Sequence, residues 1–93
     1  MVNSLKSDVF ITGAARTPLG KFQGGLSKTP ANELGSTAIK AAVERSGLTT
    51  DKIDYTVVGN MLSAGLGQTP ARQAAIGAEI PNSVSALTIN KAC

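Results

Sequence analysis

Cys93 is the only cysteine of the chain and follows Asn90-Lys91-Ala92, directly after the alternating stretch at residues 84–89. A single sulfur at a strand end has two readings. It can pack as a small buried hydrophobe, or it can act as a nucleophile once its thiolate is favoured. A helix starting immediately after the cysteine would favour the thiolate, because backbone N–H groups at a helix N-terminus stabilise negative charge. No histidine occurs anywhere, which excludes a Cys–His or Ser–His pair and a His-based metal site within these residues. The carboxylates Asp8, Glu33, Glu44, Asp51, Asp54 and Glu79 fall at helix caps, helix faces or strand starts, and no pair is spaced for acid–base work. Serines and threonines are plentiful but lack an evident base. Gly65-Leu66-Gly67-Gln68-Thr69-Pro70 sits between a strand pattern and a helix pattern, where glycine-rich loops can cradle phosphate. It lacks the third glycine of the dinucleotide pattern and an acidic residue about 20 positions later. It reads as a tight turn before a capped helix.

The elements that must position Cys93 follow from periodicity. Residues 8–15, Asp-Val-Phe-Ile-Thr-Gly-Ala-Ala, read as a first strand covered on both faces. Pro18 ends it, and residues 22–26 form a glycine-rich loop. Thr29-Pro30 starts a helix, with Thr29 as cap, Pro30 in the first turn and Glu33 near the positive end of the dipole. Leu34, Ala38, Ala41 and Ala42, widened by Ile39 and Val43, give this helix a broad face of small side chains suited to a sheet. Gly47 supplies its left-handed stop. Residues 50–53 form a single turn, and residues 54–62 a second strand. The connection of about 40 residues satisfies the requirement for a parallel crossover. A second helix runs from Thr69-Pro70 to about Glu79, and residues 84–89 form the last strand. The order is βαβαβ.

Composition bounds the rest. Ninety-three residues suit one small domain, with about two-thirds of the unfolded surface available for burial. Aromatic residues are confined to Phe10, Phe22 and Tyr55, so the core is built from Ala, Val, Ile and Leu, like one layer of a larger α/β assembly. The net charge of +3 is scattered and not interleaved with aromatics, which argues against nucleic-acid binding. One cysteine permits no internal disulfide and favours a reducing compartment. No apolar run approaches the roughly 20 residues that span a bilayer. The first residues carry neither a secretory core nor an Arg-rich transit pattern. The expectation is a cytoplasmic protein without a membrane partner.

Three segments together resemble the thiolase family. Ala15-Arg16-Thr17-Pro18-Leu19-Gly20-Lys21-Phe22 with Gly24-Gly25-Leu26 is similar to the family's opening signature. Val58-Gly59-Asn60-Met61-Leu62 with Gly65, Gly67-Gln68 and Ala71-Arg72-Gln73-Ala74-Ala75 is similar to its second. Asn90-Lys91-Ala92-Cys93 is similar to the segment that ends on the acyl-accepting cysteine. The resemblance covers nearly the whole chain, in order and at family spacing.

It implies the leading part of an αβαβα layered half-domain with a mostly parallel sheet, residues 1–93 being an incomplete N-terminal domain. It implies acyl transfer between CoA thioesters, with Cys93 as the acyl-thioester nucleophile and its backbone N–H as a donor to the oxyanion. Such a donor is worth about 3–4 kcal/mol. Acetyl-CoA acetyltransferase is the first expectation. A longer-chain 3-ketoacyl-CoA thiolase, or a non-catalytic fragment that only assembles with the remainder, are the alternatives. No cofactor is permanently bound; a coenzyme A thioester is the substrate. Further partners are the rest of the polypeptide and, in a homodimer or homotetramer, other subunits, with residues 61–68 as a subunit contact. The family's activating histidines, second cysteine and CoA-binding loop domain have no counterpart here. Arg16 and Arg72 are expected to be structural, not phosphate ligands.

Overall fold

The computed structural model describes residues 7–91. Helix α1 spans Ala31–Ser46, a 3-10 turn Thr50–Lys52, strand β1 Tyr55–Gly59, helix α2 Pro70–Gly77 and strand β2 Ser85–Ile89. The two strands pair in parallel, from Tyr55 opposite Ser85 to Gly59 opposite Ile89. Helix α2 lies in the connection between them, as a parallel pair requires. The mixed α/β class and the parallel sheet therefore match the sequence reading.

The expected first strand at residues 8–15 is not formed. Val9, Phe10 and Ile11 are 80%, 76% and 92% exposed, so no second layer covers them. The segment instead reaches the C-terminal half of α1. Gly13 lies against Ala42 and Ser46, and the Arg45 guanidinium donates to the Ala14 carbonyl at 2.8 Å. An apolar run becomes a strand only where a neighbour completes its hydrogen-bond ladder, and β1 pairs only with β2 among the described residues.

Helix α1 starts one residue later than the Thr29 cap implies. Pro30 is the N-cap, in extended conformation at φ −62°, and no side chain caps it. Its carbonyl accepts the Glu33 and Leu34 N–H groups at 3.0 and 3.1 Å. Gly47 ends the helix at φ +78°, the left-handed stop that its lack of Cβ allows. The inner face of α1 rests chiefly on α2, where a sheet was expected. Gly35 makes this close: a Cβ there would sit 3.2 Å from the Ala74 Cβ. At the next residue, the Ser36 hydroxyl lies 2.9 Å from the Ala74 carbonyl. Gly77 faces Ser36 so tightly that a Cβ would come within 3.0 Å of the serine Cβ. Helix α2 covers the sheet on its other side. Ala75, Ala78, Ile80 and Val84 form the core, with Ile39, Val43 and Ile53 packed around it.

Glu79, just beyond α2, adopts φ +67° without being glycine. Its carboxylate lies 3.0 Å from the Lys40 ammonium, raising the lysine pKa chiefly through the hydrogen bond and then through its charge. Both side chains face solvent, so water and salt screen the pair. The backbone cost dominates. Glu79→Gly is expected to stabilise the fold by about 0.5–1 kcal/mol, the relief of left-handed strain less the entropy glycine adds to the unfolded chain. A thermal melt of the two proteins measures it.

Candidate active site

Parallel pairing sends the C-terminal ends of β1 and β2 to one edge, where ligands of open α/β sheets bind. Beyond the strands the ladder continues: the Asn60 N–H donates to the Ile89 carbonyl at 2.8 Å. Gly59 faces Lys91, whose carbonyl oxygen would lie 3.8 Å from a Cβ at that position. Cys93 itself lies outside the described residues, and its approach is defined as far as Lys91.

The strand that leads to Cys93 is held at three points. At its start, the Arg72 guanidinium donates to the Val84 carbonyl at 2.7 Å and to the Asn82 carbonyl. Near its end, the Thr88 hydroxyl accepts the Ala71 N–H at 2.9 Å. At the edge, Ile89 accepts from Asn60. Arg72 is thus structural, as the sequence suggested, while Arg16 is exposed. A cleft of about 180 Å³ opens beside this edge, between Asn32 and Gly35 of α1, Val58 and Asn60, and Pro70 and Ala74 of α2.

The glycine-rich loop also leaves from this edge. Gly65 and Gly67 take φ +79° and +80°, and Thr69 takes φ +43° with no side-chain cap bond to α2. A Thr69 cap, read from the sequence, is therefore not made. The loop is not a phosphate cradle either. Pro70 has no N–H, Ala71 donates to Thr88, and Arg72 and Gln73 both donate to the Thr69 carbonyl at 2.9 and 3.2 Å. The donors an anion needs at a helix N-terminus are already used. The tight-turn reading holds.

Sequence reasoning missed what shapes this loop. The Gln73 side-chain amide donates to the Leu66 and Gln68 carbonyls, both at 2.7 Å. Its own oxygen accepts from the Asn32 side chain of α1. One signal was present for Thr88: it is the polar residue on the strand face that also carries Val84 and Ala86. Gln73 stood out only as a member of the family-like Ala71-Arg72-Gln73-Ala74-Ala75 segment, with no role attached to it. Among the described residues no cluster of three or more Cys, His, Asp or Glu side chains could hold a metal. No helix there is long and apolar enough to cross a membrane.

Comparison with known proteins places this geometry. Residues 9–93 match the family described as thiolase, N-terminal domain. The chain is 57% identical over 86 residues to acetyl-CoA acetyltransferase 2 of Arabidopsis thaliana, covering 92% of this chain and 21% of that protein. It is 54% identical to the acetyl-CoA acetyltransferase of Cupriavidus necator, covering 94% of this chain and 22% of that protein. A crystal structure of Acat5 thiolase from Ascaris suum in complex with coenzyme A superposes with a TM-score of 0.88 at 48% identity, covering 91% of this chain and 22% of that one. The chain thus spans about a fifth of the length of the curated relatives it matches. Relatives named as mitochondrial and as cytosolic both occur.

Proposed function

Because this chain belongs to the thiolase family, through a match to its N-terminal domain over residues 9–93, we propose that it carries the nucleophile of an acyltransferase acting on CoA thioesters. The match runs through Cys93, and that observation carries the reading. The reaction is acetyl-CoA acetyltransfer, supported by the names of the relatives, and coenzyme A is the ligand, supported by the complex of the Ascaris thiolase.

The Cys93 thiolate attacks the carbonyl carbon of acetyl-CoA, and the tetrahedral oxyanion takes a hydrogen bond from the Cys93 N–H. The C–S bond to CoA breaks, CoA leaves as its thiolate and takes up a proton, and the acetyl group stays on the cysteine. A second acetyl-CoA then loses a proton from its methyl carbon. That carbon attacks the acetyl-cysteine, giving acetoacetyl-CoA and free Cys93, and the reverse sequence is thiolysis. Both half-reactions use one acyl-cysteine, so the kinetics are ping-pong. No histidine is present in the chain, so the groups that move protons come from the remaining polypeptide, with which residues 1–93 form one domain. No cofactor is permanently bound. The working form is a cytoplasmic homodimer or homotetramer. Met61 and Leu62, 59% and 81% exposed beside the loop, supply a subunit contact.

The test puts the full chain in place of the matching segment of the Cupriavidus necator enzyme and incubates the product with acetyl-CoA. Acetyl found on Cys93 by peptide mass spectrometry, with acetoacetyl-CoA formed, supports the reading. Acetyl elsewhere, or none, overturns it. Faster turnover of longer 3-ketoacyl-CoA substrates would reassign the acyl preference.

A further inference from the structure

Three features converge on the loop between β1 and α2. Within it, Gly65 and Gly67 take positive φ, which glycine adopts freely, and the non-glycine Thr69 does so too, a conformation that persists only where neighbours enforce it. Its side-chain hydrogen bonds among the described residues come from one group, the Gln73 amide, which grips the carbonyls of Leu66 and Gln68 together. Gly67 approaches that amide closely enough that a Cβ would lie 3.1 Å from its nitrogen. Gln73 in turn is oriented from a different element: Asn32, in the first turn of α1, donates to its oxygen. The three bonds together set which way the amide faces: a flipped amide would put its oxygen against the two loop carbonyls and its N–H groups against the Asn32 donor. The loop leaves the same sheet edge as the segment running to Cys93, and Asn60 at its base is bonded to Ile89.

We infer that Gln73 is a positioning residue for acyl transfer, its amide anchored by Asn32 and holding the loop at the sheet edge from which the segment toward Cys93 departs. This rests on the acyltransferase reading above. Gln73 touches neither thioester nor sulfur; it acts through the loop it clamps. The relay runs from α1 through Asn32 and Gln73 to Leu66 and Gln68. Loosening either side chain lets the loop relax from its left-handed turns and change the path of the incoming thioester.

The test uses the joined enzyme described above, with Gln73→Met, Asn32→Ala and the double variant. Methionine keeps the length of glutamine and removes both donors; alanine at position 32 leaves Gln73 in place but unsteered. Gln73→Met is expected to lower kcat/KM for acetyl-CoA about tenfold or more, a modest share of what a misplaced reactant costs. Asn32→Ala should lower it about threefold, and the double variant should be no worse than Gln73→Met, because the asparagine works only through the glutamine. Thermal midpoints should stay within a few degrees of the parent in Asn32→Ala, which carries the test should Gln73→Met fold poorly. A lowered midpoint with unchanged kcat/KM, or independent multiplying losses in the double variant, overturns the inference. Absence of acetyl on Cys93 in the unsubstituted protein overturns the underlying reading instead, and is seen before any variant is compared.

Discussion

Cys93→Ala in the joined enzyme is expected to abolish acetyl-enzyme formation and to lower turnover by about ten-thousandfold or more, as loss of a covalent nucleophile does. Two features make so large an effect the expectation. It is the only sulfur nucleophile the chain contributes, so no neighbour within these residues can replace it. The strand leading to it is held at Val84, Thr88 and Ile89 by three separate hydrogen bonds, which fixes the approach to the cysteine as far as the strand end. Cys93→Ser is expected to fail almost as completely, because a serine hydroxyl holds its proton far more tightly than a thiol and is a much weaker nucleophile toward a thioester. Neither substitution should shift the urea midpoint appreciably. Mass spectrometry after incubation with acetyl-CoA, set beside steady-state turnover, reads both. An acetylated Cys93→Ala protein would remove Cys93 from the mechanism.

Arg72→Leu should produce the opposite pattern, a loss of stability with turnover falling as a consequence. The guanidinium satisfies two carbonyls at once, those of Asn82 and the buried Val84, in the turn where β2 begins. A charge-assisted bond of this sort contributes about 1.5–3 kcal/mol, and a buried carbonyl left unpaired adds its desolvation cost. The two bonds share one side chain, so their sum is not simply additive. The expected loss is about 2–4 kcal/mol. Arg72→Lys should lose about half of that, since one ammonium cannot reproduce the fork geometry. The decisive measurement is chemical denaturation, with a lower urea midpoint at unchanged slope. An unchanged midpoint would show that the turn is set by its own backbone, through the Val84 N–H bond to Pro81.

Much of this arrangement was legible in the residues. The capping glycine of α1, the proline that opens α2 and the apolar centres of both observed strands placed four elements close to where they lie. What failed at residues 8–15 was the neighbour, not the pattern. A run such as Val9-Phe10-Ile11 records an affinity for a covered sheet position, but the ladder is a long-range property that local sequence does not carry. The same limit misdirected α1. Its broad face of small side chains does demand close approach, yet Gly35 and Ser36 meet that demand against Ala74 and Gly77 of another helix. At the site, the order of motifs along the chain led to Cys93. The amide clamp escaped notice because Asn32 and Gln73 are 41 positions apart, and only the docking of two helices makes them neighbours.

The alanine-built core carries a thermal consequence. Among the described residues the buried hydrophobic core has six members, four of them alanines, and no large side chain is fully enclosed. The heat-capacity change of unfolding scales with the apolar area exposed, at about 0.45 cal/mol/K per Å². This segment therefore adds little to that change, and little to the curvature of the stability profile. Its two helices gain their fit from closeness of backbones, which varies weakly with temperature, more than from hydration entropy, which varies strongly. Cooling should loosen this corner of the fold less than it loosens cores made of leucine and phenylalanine.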